Sequence, residues 1–167
     1  VTSVGAIDRF IRLISEYMDD VSEVKIERLS TTDPLIVLGI GIPTIVGLIE
    51  LYNSIIDAAI KTIDLKKAIK ELKQLGMQKD DVSDDDIQER IISNTIRETF
   101  TGLDKLTKHT NTIEMHAKIE VASNVIARDV IRGVRMRVEI GAEARDTANA
   151  ILFNSKLLSD GKVLSVE

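Results

Sequence analysis

The residues best suited to chemistry in this chain are acids. Asp80, Asp81, Asp84, Asp85 and Asp86 crowd one stretch, and five carboxylates so close together suggest a hard cation such as calcium. The spacing does not fit an EF-hand loop: counting from Asp80 or Asp81, no glycine stands sixth and no Glu twelfth. Acids there serve equally well ahead of a helix, whose N-terminal dipole favours negative charge. His109 and His116 are the only histidines, and two ligands seven residues apart make an incomplete metal site. Gly39-Ile-Gly41 ahead of a helix has the start of a dinucleotide loop, but Thr44 stands where a third glycine belongs. Pro43 also removes an N–H that would face phosphate. Arg128, Arg132, Arg135 and Arg137 form the densest basic cluster, diluted by Asp129, Glu139 and Glu143. It reads as a solvated, ion-paired face, or else as a surface for an acidic partner. No Gly-x-Ser-x-Gly, His-Glu-x-x-His or Walker loop occurs, and no carboxylate pair stands isolated in apolar surroundings. The expectation is a non-enzyme without cofactor or metal.

Composition removes further classes. The net charge of −5 argues against nucleic-acid binding, which draws its affinity from clustered Lys and Arg. Three Phe, two Tyr and no Trp leave few stacking platforms and make any core aliphatic. With no cysteine there is no disulfide, thiol nucleophile or thiolate site, which suits a reducing, cytoplasmic setting. No leader-like segment precedes the first helix, so secretion is not expected. At 167 residues the chain is long enough for one domain with its own core. Its start at Val1-Thr-Ser-Val-Gly reads as a piece of something longer.

The elements that would position any site surround one apolar run, Pro34 to Ile49, uncharged between Asp33 and Glu50. Ahead of it, Ile7, Phe10, Ile11, Leu13, Ile14, Tyr17 and Met18 recur at helical spacing, and Val24 to Leu29 reads as a short strand. Asp33-Pro34 could open a short helix, which Gly39, Gly41 and Pro43 should kink or break. A long helix restarts near Thr44 through Ile45, Leu48, Ile49, Tyr52, Ile55, Ile56 and beyond, turns lysine-rich, and stops at Gly76. Residues 77–86 form an acidic linker, and Ile87, Ile91, Ile92, Ile96, Phe100 and Leu103 mark the next helix.

Beyond the turn at Lys108 to Asn111 the pattern alternates. Ile113 to Val121 and Val134 to Ile140 both match half-buried strands, with a helix from about 112 to 150 as the competing reading. Ala142 to Leu158 is helical again, and Val163 to Val166 could begin a strand. The fold expected is α+β, mainly helical with a small antiparallel sheet; the alternative is an all-α helical bundle.

Residues 7–73 carry a helix, the strand Val24-Lys-Ile-Glu-Arg-Leu29, a polar turn ending in Asp33-Pro34-Leu-Ile-Val and a long apolar-to-lysine-rich helix. This order resembles a helix–strand–turn–helix module of uncharacterised bacterial proteins. There the turn reads Gly-Ser-Pro-Leu, where this chain has Thr32-Asp33-Pro34-Leu35. The resemblance carries no chemistry and implies a bacterial interaction or adaptor module. The expected function is therefore protein–protein interaction or oligomerisation, by self-association or with a protein partner. Ile45, Leu48, Ile49, Tyr52, Ile55 and Ile56 would be its interface, at about 25 cal/mol per Å² of apolar area buried. The alternative is a membrane-associated protein using residues 34–56, a stretch interrupted by Pro43 and short of the roughly 20 apolar residues a span needs.

Overall fold

The computed structural model describes residues 4–20, 25–28, 35–38, 40–76, 84–134 and 140–159. They form five helices, α1 (Val4–Tyr17), α2 (Ile42–Gln74), α3 (Asp84–Leu103), α4 (Thr112–Ile131) and α5 (Ala142–Ser159). Between α1 and α2 lie two four-residue strands, β1 (Lys25–Arg28) and β2 (Leu35–Leu38). α2 is the centre: α1, α3, α4 and α5 all pack on it, and α4 also touches α1 and α3. The α+β expectation is thereby corrected to an all-helical bundle. β1 and β2 pair only as an antiparallel ribbon, with Lys25 opposite Leu38 and Arg28 opposite Leu35. Among the described residues the core comes from the five helices and the turns at their ends. β2 also stands where a short helix was expected after Pro34.

α1 buries Phe10, Ile14 and Tyr17 and ends in a Schellman motif. The Asp19 N–H bonds the Glu16 carbonyl at 3.1 Å and the Asp20 N–H reaches back to Ser15 at 2.9 Å, with Asp19 left-handed at φ 54°. That reversal points Asp20 at the start of α2, whose own N-cap, Gly41, has no side chain to offer. The Asp20 carboxylate accepts from the Thr44 N–H at 3.3 Å and from the Thr44 hydroxyl at 2.5 Å, so the cap comes from another segment. A Cβ on Gly41 would lie 2.5 Å from that carboxylate. Pro43 sits in the first turn, where its missing N–H costs nothing, so the long helix expected to restart near Thr44 begins at Ile42. Gly47 lets α1 approach closely, since a Cβ would meet Ile14 at 2.7 Å.

The alternating stretch Ile113 to Val121 is helix, not strand. Asn111 caps α4 by accepting from the Glu114 N–H, and its amide donates to the Glu114 carboxylate at 2.6 Å. Met115, Ile119, Ala122 and Ile126, at steps of four, three and four, face the core, while Ile113 and Val121 face out. Gly133, at φ 93°, closes α4 with a second Schellman pair: Gly133 N–H to Val130 and Val134 N–H to Asp129, each 3.0 Å. The helix from 112 to 150 is therefore two helices, α4 and α5. Of the second expected strand, residues 135–139 lie outside the described residues, as do 163–166. The acidic linker is shorter than expected, because α3 already begins at Asp84; residues 77–83 lie outside the described set.

Candidate interaction surface

The six residues expected to form an interface do not share an exposed face. Ile45, Leu48 and Ile55 belong to the core, and Ile49, Tyr52 and Ile56 are half-buried. α2 is long and apolar enough to cross a membrane by length and composition, and half of its most apolar window is buried against the other helices. The apolar run therefore does its packing inside this chain, at least from Thr44 onward.

The acids do not gather a cation site: Asp80 and Asp81 lie outside the described residues, and Asp85 and Asp86 are exposed in the first turn of α3. Gly39 is likewise outside the described set. At Gly41 the helix N-terminus that a phosphate would need is occupied by the Asp20 carboxylate. Arg128 and Arg132 are exposed at the end of α4, and Arg135 and Arg137 lie outside the described residues.

The two histidines are kept apart in role. His109 Nδ1 accepts from the Asn111 N–H at 3.1 Å within the turn. His116 Nε2 lies 2.7 Å from Asp104 Oδ1, the oxygen that also accepts from the Tyr17 hydroxyl. The imidazole stacks on Phe100 at 4.0 Å between centroids, and Tyr17 meets the same ring edge-on at 5.7 Å. The Thr107 hydroxyl donates to the Tyr17 carbonyl. Burial first, then the hydrogen bond to Asp104 and its charge, push the Tyr17 phenol well above its ordinary value near 10.0. A carboxylate between a phenol and an imidazole resembles a proton relay, but each group here is committed to another. The knot ties the end of α1 and the turn after α3 to the first turns of α4. Among the described residues no cluster of three His, Cys, Asp or Glu could hold a metal.

Among the described residues, large apolar side chains are exposed on α2 and its C-cap (Ile60, Leu72, Leu75), on α5 (Ile151, Phe153) and, in an aligned row, on the outer face of α4. Ile113 is 83% exposed, Val121 58% and Val125 47%, with exposed Ala117 completing the series at steps of four. The opposite face of the same helix is packed, and Arg97 of α3 grips Glu120 of α4 through two bonds of 3.1 Å. A helix held firmly on one side and apolar on the other presents a rigid, dehydratable stripe. Reading Ile113 to Val121 as a strand hides this stripe, because every second residue then faces one core. The usable signal was the capping pair Asn111 and Glu114, three residues apart, which marks a helix start. The chain matches no protein-family model, and no curated protein or solved structure matches it.

Proposed function

We propose that this chain is a non-enzymatic interaction module whose docking surface is the outer face of α4, displacing the apolar run of α2 from that role. The exposure of Ile113, Val121 and Val125 on one side of a helix packed on its other side carries this reading. Isolated exposed apolar residues are ordinary on a protein surface, whereas an aligned row on a fixed helix suits helix-to-helix docking.

The experiment is Val121→Lys in the full chain, followed by melting temperature and by solution mass over a dilution series. An exposed valine contributes little to the fold, so the variant should melt within a few degrees of wild type. Association seen for wild type should be lost. A variant that associates like wild type would remove α4 from the reading.

A further inference from the structure

Building on that reading of α4, we infer that the partner is a second copy of this chain, docked antiparallel across a two-fold axis at Val121. The charges on the outer face show why. Glu114 lies seven residues before Val121 and Arg128 seven after it; Ala117 lies four before and Val125 four after. Seven residues are two turns, about 10.5 Å along the axis, so all five positions share one side of the helix. All five are exposed.

A two-fold axis through Val121 sets Val121 on its symmetry mate and Ala117 under the partner's Val125. At both ends it brings Glu114 beside the partner's Arg128. The small Ala117 makes room for the valine, and each end of the stripe meets the opposite charge. A parallel pairing would instead place Glu114 against Glu114 and Arg128 against Arg128. The present engagements of both groups yield readily. Glu114 pairs with Lys118 four residues on, at 2.7 Å, with both side chains exposed, and Arg128 lies 3.9 Å from Glu89, at the edge of contact. Three apolar side chains a side, Ala117, Val121 and Val125, fall short of the roughly 800 Å² per partner of a standard interface, so the dimer should be weak, with Kd roughly 10–100 µM.

The test is sedimentation equilibrium on the full chain, from about 1 µM to about 1 mM, with melting temperature recorded for every variant. Glu114→Arg and Arg128→Glu should each weaken the dimer by at least about tenfold, because the symmetry repeats each repulsion twice. The double reversal should return the affinity to within about threefold of wild type, since the pair re-forms with its signs exchanged. Glu114 also serves the cap of α4, so Glu114→Gln, which keeps that role and removes the charge, should weaken the dimer at unchanged melting temperature. Single reversals without effect, or a double reversal no better than the singles, would overturn the antiparallel register. If Val121→Lys still dissolved such a dimer, the α4 face would stand while the register fell. A wild type that remains at 18.5 kDa throughout would overturn self-association altogether.

Discussion

Replacing Asp20 with alanine should cost more than any exposed acid has a right to cost. Its carboxylate accepts two bonds from Thr44, a residue with no exposed surface, at the start of the helix on which the whole bundle packs. Loss of an N-cap acceptor costs about 1 kcal/mol, within a range of roughly 0.5–2. A buried hydroxyl left without its partner adds about 1–3 kcal/mol. Part of that second loss is recoverable, because Asp20 is only partly buried and its removal would admit water to the Thr44 hydroxyl. The net expectation is a loss of about 2–3 kcal/mol, a large share of the roughly 5–15 kcal/mol available to a domain of this kind.

Urea unfolding followed by circular dichroism measures this directly, provided the slope is unchanged. Asp20→Asn keeps an acceptor and should lose about 1 kcal/mol or less. Thr44→Val, combined with Asp20→Ala in a double-mutant cycle, should return a coupling of at least about 1 kcal/mol. A loss below about 0.5 kcal/mol for Asp20→Ala, or additive single effects, would refute the cross-segment cap. α2 would then start on its proline alone.

Two further outcomes follow from burial. Leu48 is 7% exposed in the core, so Leu48→Glu removes roughly 2–3 kcal/mol of apolar burial and buries a carboxylate as well. It should unfold the chain outright by circular dichroism; a folded, merely dissociated variant would return Leu48 to an interface. The Tyr17 phenol, held above its ordinary value near 10.0, keeps its proton in the folded state where the unfolded chain loses it. The folded state then binds more protons, so this contribution is complete below pH 10 and is lost as pH rises beyond it, at about 1.4 kcal/mol per pH unit. Wild type should therefore lose stability faster than Tyr17→Phe between about pH 10 and 11.5, and parallel curves would count against the buried phenol.

What was legible in the sequence follows the strength of local signals. α1 and α3 announce themselves because their apolar residues recur on one face and nowhere else. The start of α2 near Thr44 is legible because a proline inside a helix is destructive and one at its start is harmless, so Pro43 marks a boundary. Its cap is not legible, since that cap is Asp20, twenty-four residues from the hydroxyl it holds. In Ile113 to Val121 the apolar positions satisfy period two and leave enough residues on period 3.6 for a core-facing side. Helix wins there because Asn111 and Gly133 bracket the segment and because Ala122, Ile126 and Ala127 continue the buried side beyond the alternation. The knot of Tyr17, Asp104 and His116 left no sequence trace, its members being brought together only by packing.

The placement of the apolar run and of the α4 stripe can be understood together. A central helix that touches four neighbours needs apolar residues on several sides, which is why the most hydrophobic segment in the chain has no clean amphipathic pattern. A peripheral helix needs apolar residues on one side only. α4 satisfies that requirement with Met115, Ile119, Ala122 and Ile126, so Ile113, Val121 and Val125 exceed what folding demands. Hydrophobicity in excess of the core's need, on a helix fixed by its cap, by the His116 knot and by the Arg97–Glu120 pair, costs solubility without stabilising the monomer. Burial against another surface turns that cost into binding free energy. On the proposed reading, the outer face of α4, not the longest apolar stretch, is therefore where a partner is to be sought.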